Sequence, residues 1–160
     1  MDAPAQPRPA KYEPQFFTPD EYAAIDHLSE LIIPADRTPG AREAGVAEFI
    51  DFMTASDSEI QHPFRTGLSG LDAASKQKHG AAFVHLPEAQ QTELLHSLAA
   101  GSAEDKAFFK MIRKYTVMGY YTSRIGLEEL DYPGLKLYTH SPSCPHKGDP
   151  EHKRLPPPTV

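Results

Sequence analysis

The sequence predicts an all-α protein, a small bundle of about five short helices with extended, proline-rich arms at both ends. Apolar residues recur at helical spacing behind recognisable helix starts, and no segment shows the apolar–polar alternation typical of β-strands. Most of the sixteen prolines lie in the stretches 4–19 and 133–158, outside the helical centre. We therefore expect an N-terminal arm over residues 1–15, a helical core over 16–126 and a C-terminal arm over 127–160.

The first helix begins with a capping box. Thr18 is the expected N-cap, Pro19 the first helical residue and Glu21 the residue that bonds back to the cap, an arrangement worth about 1 kcal/mol. An apolar stripe then runs as far as Pro34, which cannot continue a helix. The stripe consists of Tyr22, Ile25, Leu28, Leu31 and Ile32.

A densely specified turn over residues 32–51 joins the first helix to the second. Pro39 and Gly40 fit the two central positions of a type II turn, in which the glycine has a positive φ angle. Gly45 can close the short turn that follows, and the second helix is expected to begin at Val46. The simplest interpretation is a helix–loop–helix corner.

Two charged residues of this corner could contact a partner. Asp36 is expected to accept hydrogen bonds within its own loop, as an Asx-turn near Thr38. Arg37 beside it is expected to be an exposed charge.

Three further helices follow. Ser56 and Glu59 offer a capping box for the third, in which Pro63 marks either an irregular first turn or the true start of the helix. Residues 73–82 are either a continuation of that helix or a surface turn. The fourth helix is expected to begin at Pro87-Glu88.

Gly101 is expected to end the fourth helix, and Ser102 with Asp105 to cap the fifth. The fifth helix ends near Tyr120 and Tyr121. Its small Gly119 among large aromatic residues indicates close packing against another helix.

Composition and charge exclude several classes of protein. A chain of 160 residues with a net charge of −6 is one domain long and lacks the basic surface expected of a protein that binds nucleic acid or an anionic membrane. No run approaches the roughly 18 apolar residues that span a bilayer. The first residues lack the basic and apolar regions of a secretion signal. Either the protein is cytosolic or the sequence begins after a removed leader.

The residue pattern alone does not identify a catalytic function. Asp26, His27 and Ser29 are the residue types of a hydrolytic triad, but neighbours on a helix point about 100° apart and cannot converge. A solvated helix face is the better interpretation. No glycine-rich phosphate loop follows a strand, so no nucleotide fingerprint is present.

The C-terminal arm contains the residue types of a metal site, namely His140, Cys144, His146 and His152. Zinc sites need defined spacing and a rigid surrounding shell, which this proline-broken segment does not provide, so solvated histidines are the alternative. Cys144 is the only cysteine, which excludes an internal disulfide. It could form an intersubunit disulfide in an oxidising compartment, or remain an unpaired thiol.

Several stretches together resemble one protein family. The string IIPADRTPGAREAGVAEFID, with the preceding FFTPDEYAAIDHLSEL, resembles the N-terminal region of the gluconate 2-dehydrogenase subunit 3 family. The later segments HLPEAQQTELLHSL, FFKMIRKYTVMGYYTS and LDYPG are similar to the middle and end of that family. The resemblance covers roughly residues 16–134. Members are the small subunits of bacterial FAD-dependent sugar dehydrogenases.

The resemblance implies a non-catalytic small subunit that binds no cofactor itself. Its partner would be a large FAD-containing subunit of the glucose–methanol–choline oxidoreductase type, in which flavin N5 takes a hydride from a sugar or glucoside. A cytochrome subunit with haem c would carry the electrons away. The small subunit would stabilise the large one and assist its folding and twin-arginine export to the periplasm.

The candidate partner-binding residues are taken from the corner, the end of the fifth helix and the C-terminal arm. They are Asp36, Arg37, Tyr120, Tyr121, Tyr138 and Cys144. The alternative is an independent helical module that binds a metal, or acts as an adaptor, through the histidines and the cysteine of the C-terminal arm.

Overall fold

The computed structural model describes residues 12–132 and Gly134 and confirms the all-α class. Within this part of the chain there are six α-helices and one 3₁₀ turn (Phe83–His85), and no strand. The helices are α1 (Pro19–Ile32), α2 (Val46–Ser56), α3 (Ser58–His79), α4 (Glu88–Ala100), α5 (Ala103–Thr122) and α6 (Arg124–Glu129).

The start of α1 is the predicted capping box. The amide of Glu21 donates to Thr18 Oγ1 at 3.3 Å, and the amide of Thr18 donates to Glu21 Oε2 at 2.9 Å. The helix ends before Pro34, where the amide of Ile33 still donates to the carbonyl of Ser29. Both ends of α1 are therefore set by local sequence.

The cap of α3 lies one residue later than the sequence predicts. Ser56 remains the last residue of α2, because its hydroxyl donates to the carbonyl of Phe52 at 2.8 Å. Asp57 is the N-cap instead, and its carboxylate accepts from the amide of Glu59 at 2.9 Å. The predicted capping box of Ser56 with Glu59 is wrong.

The structure resolves both alternatives left open for α3. Pro63 lies inside the helix, close to its start. Because proline has no amide hydrogen, one hydrogen bond to a carbonyl of the first turn is missing. Residues 73–79 continue the helix, which ends at Gly80 with φ of 76°. A glycine in the left-handed backbone conformation commonly ends a helix, and here it follows a last turn that contains the basic residues Lys76, Lys78 and His79.

The start of α5 agrees with the prediction, and α6 is an addition to it. Ser102 and Asp105 form the expected capping box. Ser123 then caps α6, accepting from the amide of Gly126 at 3.1 Å. This short helix crosses the boundary that the sequence placed after residue 126.

Helix α5 is central and contacts α1, α2, α3, α4 and α6. Its Gly119 lies against α2, where an added Cβ would come within 2.7 Å of the Phe49 ring, so the predicted close packing is confirmed. An edge-to-face series of rings links Phe17, Phe64 and Tyr115, with centroids 5.7 and 5.6 Å apart. In the described part of the chain, no helix is both long and apolar enough to cross a membrane.

Candidate partner-binding surface

The corner between α1 and α2 presents Asp36 and Arg37 at the surface, and both side chains are exposed. The carboxylate of Asp36 accepts from the amide of Thr38 at 2.9 Å and from its hydroxyl at 3.2 Å, which is the predicted Asx-turn. These hydrogen bonds hold the pKa of Asp36 below its ordinary value, first through the amide and then through the hydroxyl. Asp36 is thus a fixed, ionised surface group, and its partner contact stays a prediction.

Gly40 has a different role from the one predicted. It is not among the glycines with positive φ, so the type II turn is wrong. A Cβ at this position would come within 2.5 Å of both the amide nitrogen of Ala35 and the carboxylate of Glu30. Glycine is required here because a Cβ would press on the backbone of Ala35, which cannot shift as easily as the end of the Glu30 side chain. Gly45 closes the turn before α2, as predicted, and has a positive φ of 72°.

Glu30 holds the corner together, a role that the sequence pattern did not predict. Its two carboxylate oxygens accept from the amides of Ala35 at 3.1 Å and Arg42 at 2.8 Å. The side chain of Arg42 returns to α1 and donates to Asp26 at 2.7 Å. One carboxylate thereby fixes both sides of the loop that carries Asp36.

The two tyrosines at the end of α5 have different environments. Tyr120 is 1% exposed, and its hydroxyl donates to the carbonyl of Pro39 at 2.8 Å. The partner contact predicted for Tyr120 is therefore wrong, because its own chain encloses the ring. Tyr121 is 37% exposed and meets the Tyr120 ring edge-on at 5.1 Å. Its partner contact stays a prediction.

The buried carboxylate of Asp51, on α2, anchors the segment that precedes α1. One oxygen accepts from the Tyr12 hydroxyl at 2.7 Å and the amide of Gln15 at 2.6 Å. The other accepts from the amides of Phe16 at 3.1 Å and Phe17 at 3.0 Å. Residues 12–17, which we call the strap, are thereby fixed to α2, so the end of the expected N-terminal arm is bound to the core.

The electrostatics of this anchor favour the charged form of Asp51. Burial alone would raise the pKa of Asp51, but the hydrogen bonds from the strap outweigh it, so the pKa is lowered. Burial and the nearby carboxylate raise the pKa of Tyr12, which therefore stays protonated and acts as a donor. Burial, together with Glu48 and Asp26, raises the pKa of Tyr22 to about 12. The Tyr22 ring stacks on Tyr12 at 5.8 Å.

A signal for Asp51 was present in the sequence. On a helical projection of α2, Asp51 lies one turn after Ala47 and three residues before Thr54, and all three are buried. A carboxylate on the buried side of an amphipathic helix must have hydrogen-bond donors. The sequence does not show that the donors come from residues 12–17, because nothing local links these segments.

The residue types of a triad do not converge, as predicted. Asp26 pairs with Arg42, and the buried Ser29 accepts from the hydroxyl of Thr116 at 3.3 Å. His27 contacts Gln91 instead, with Nδ1 2.8 Å from the amide nitrogen of that side chain. Three different partners therefore hold these side chains apart.

Gln91 also fixes the tautomer of neutral His27. Its amide nitrogen donates to the carbonyl of Phe83 at 2.9 Å, and this carbonyl can only accept, so the orientation of the amide is determined. The second hydrogen of that nitrogen points to His27 Nδ1, which must accept. The ring proton is then on Nε2, the opposite of the arrangement in which a carboxylate orients a histidine base.

Beside the corner lies a polar cleft of about 530 Å³, lined by residues of α1, the loop and α4 that include His27, Glu30, Arg42 and Gln91. Each of these four side chains takes part in the hydrogen bonds described above. Within residues 12–132 and Gly134, no three His, Cys, Asp or Glu residues are grouped so as to hold a metal ion. Tyr138, Cys144 and the histidines at 140, 146 and 152 lie outside the described residues.

The fold and its surface define a small all-α protein in which hydrogen bonds from polar side chains fix the loops and helix ends. The chain belongs to the gluconate 2-dehydrogenase subunit 3 family, whose model matches residues 19–135. This confirms the family that the sequence resembles, and membership implies a dehydrogenase complex with a dehydrogenase partner. No curated protein and no solved structure gives a significant match.

Proposed function

We propose that this protein is the non-catalytic small subunit of a periplasmic, FAD-dependent sugar or glucoside dehydrogenase. Its partner is a large FAD-containing subunit of the glucose–methanol–choline type, which carries out the oxidation. The observation that carries the proposal is the family match over residues 19–135. The chain itself binds no cofactor, FAD belongs to the large subunit, and a cytochrome subunit with haem c accepts the electrons.

The role of the small subunit in this proposal is to stabilise the large subunit and to assist its folding and twin-arginine export. The character of the described surface is consistent with a binding protein. The polar groups of the surface form hydrogen bonds within the chain. They belong to the Glu30 corner, the Asp51 anchor and the His27–Gln91 pair. Large apolar side chains remain exposed, including Phe52, Leu130 and Tyr132.

Co-expression with the flavin subunit tests the proposal. We expect the two chains to co-purify in a fixed ratio, with an interface larger than about 2,000 Å² in total, as in obligate complexes. We also expect less soluble, flavin-loaded large subunit when the small subunit is omitted. A stable complex-free small subunit, with a large subunit that folds and exports equally well alone, would contradict the proposal.

Cys144 supplies a second measurement on the same complex. Because Cys144 is the only cysteine of this chain, any disulfide that it forms must join another chain, and we propose that this other chain is the large subunit. A non-reducing gel of the complex should then show one band at the summed mass, which reductant resolves into two. Cys144→Ser should give two bands under both conditions. Unchanged mobility of the wild type on adding reductant counts against the bridge.

A further inference from the structure

The strap is held by three helices of the core and not by its own backbone. Asp51 of α2 accepts four hydrogen bonds from it, and the Phe17 ring meets the ring of Phe64 on α3 at 5.7 Å. The Tyr12 ring stacks on Tyr22 of α1. No main-chain hydrogen bond joins two residues within the strap. The helices therefore supply the binding groups, and the strap supplies the groups that they bind.

Arg65 of α3 completes the set of binding groups. Its Nη2 donates to the carbonyl of Phe16 at 3.2 Å, and its guanidinium carbon lies 4.5 Å from the centroid of the Phe16 ring. The arginine thus binds a main-chain carbonyl, while Asp51 binds the main-chain amides of residues 15–17. Main-chain hydrogen bonds of this kind supply much of the affinity when proteins bind extended peptides.

One side chain of the strap gives the site its specificity. Phe17 is the only buried residue of the six, and its ring belongs to the hydrophobic core. Glu13 and Gln15 are exposed, so the site makes little use of their side chains. The binding groups therefore fit an extended segment that presents three successive amides and an aromatic ring at the third residue.

The strap can leave the core without disturbing the start of α1. It enters the helix through Thr18, an exposed N-cap residue with an extended backbone. The capping box joins Thr18 to Glu21 and includes no residue of the strap. The hydrogen bonds that begin α1 would therefore survive release of the strap.

The binding groups and the bound segment also differ in their relation to the family. Asp51, Phe64 and Arg65 lie within residues 19–135, which the family model matches, and the strap precedes that range. Ordering six residues in an extended form costs conformational entropy that offsets much of what their contacts contribute. Segments with so few buried residues open separately from the rest of a protein.

We infer that Asp51, Phe64 and Arg65 form a peptide-binding site that the strap closes in cis. Its ligand is an extended peptide that presents successive amides and an aromatic ring to the same groups. The strap is then an autoinhibitory contact, because another segment can enter the site only when the strap is released. This inference goes beyond the proposed function and does not depend on the flavin subunit.

A free strap peptide tests the site. The probe is the synthetic peptide YEPQFFTP, which corresponds to residues 12–19, added to the full chain carrying Gln15→Pro and Phe17→Gly. This double variant lacks one amide donor and the buried ring in its own strap, but it keeps every binding group. We expect calorimetry to show saturable binding at about one equivalent, and binding to the wild type at least about tenfold weaker, because its own strap competes. No binding to the variant, or equal binding to the wild type, would overturn the inference.

A matched pair of substitutions identifies the binding group. Asp51→Asn, added to the double variant, should raise the Kd of the peptide at least about tenfold, because an NH₂ group replaces one acceptor oxygen. Asp36→Asn in the same background removes a carboxylate of the corner and should leave the Kd within about twofold. Equal Kd values for these two proteins would show that the peptide binds elsewhere and would overturn the inference.

Folding of the double variant is itself informative. If the variant is unfolded alone, the peptide should restore the helical circular dichroism of the wild type, because a ligand that binds only the folded chain stabilises it. Failure to restore the signal counts against the site.

Hydrogen exchange on the wild type needs no variant. The amides of residues 15–17 should have protection factors at least about tenfold lower than those of Ile50 and Ile112, in α2 and α5, because the strap opens separately. Equal protection would mean that the strap is released only by global unfolding, and the inference would then be wrong.

Discussion

Replacing Asp51 by asparagine tests the strap anchor, because the two side chains have nearly the same shape. The carboxylate accepts four hydrogen bonds, two at each oxygen. An asparagine keeps one acceptor oxygen and presents an NH₂ group at the other position. That group can only donate, and it would face donors of the strap.

The expected cost follows from which bonds survive. The asparagine oxygen should turn toward Phe16 and Phe17, since the Phe17 amide is buried and cannot reach water. The hydrogen bonds from Tyr12 and Gln15 are then lost. Each costs about 1.5–3 kcal/mol because the acceptor is charged, and hydration of these partly exposed donors restores part of that cost. The two surviving bonds become neutral and weaker. We expect a loss of about 3 kcal/mol in the free energy of unfolding.

Urea unfolding at pH 7, followed by circular dichroism at 222 nm, measures this loss. The matched control is Asp36→Asn, which removes an exposed carboxylate of the corner. Because asparagine also forms Asx-turns, this substitution should cost less than about 1 kcal/mol. Tyr12→Phe should destabilise the wild type but not the Asp51→Asn variant, because its bond is already absent there. A cost below about 1 kcal/mol for Asp51→Asn, or one equal to that of the control, would refute the anchor.

Two further predictions concern acid stability and helix packing. The pKa of Asp51 is lower in the folded chain than its ordinary value of 3.8. As the pH drops below about 4, Asp51 therefore takes up a proton more readily in the unfolded chain than in the folded chain. The free energy of unfolding should fall over this range. Acid titrations should show a smaller fall for Asp51→Asn, and an identical fall would contradict the assignment. Gly119→Ala should cost about 1–3 kcal/mol because its Cβ would press on the Phe49 ring. Gly70→Ala has open space around its Cβ and should stabilise α3 by about 0.5–1 kcal/mol; equal thermal shifts for the two variants would refute the packing argument.

The parts of the fold that the sequence predicts well are those set by local chemistry. The capping boxes at Thr18 and Ser102 and the turn glycine at Gly45 each depend on neighbours within a few residues. Where two local signals competed, the prediction was less accurate. Ser56 and Asp57 are both good caps, and only the folded chain shows that Ser56 bonds back into α2.

The residues whose roles the sequence did not predict act over long distances in the chain. Asp51 receives donors more than thirty residues away, and Tyr120 reaches Pro39 from the far end of α5. Periodicity identifies which side of a helix is buried but not what lies against it. For this reason Tyr120 and Tyr121 were indistinguishable in sequence, although the structure encloses one and exposes the other.

The Asp51 anchor also determines which substitutions the strap can accept. Three of its four donors are main-chain amides, at residues 15, 16 and 17. The side chain at position 15 can therefore change freely as far as the anchor is concerned, and only proline, which has no amide hydrogen, would remove a donor. Position 15 of the strap is thus specified by its backbone and by one distant carboxylate, whereas Tyr12 donates through its side chain and the Phe17 ring packs in the core, so these two positions are not free to change.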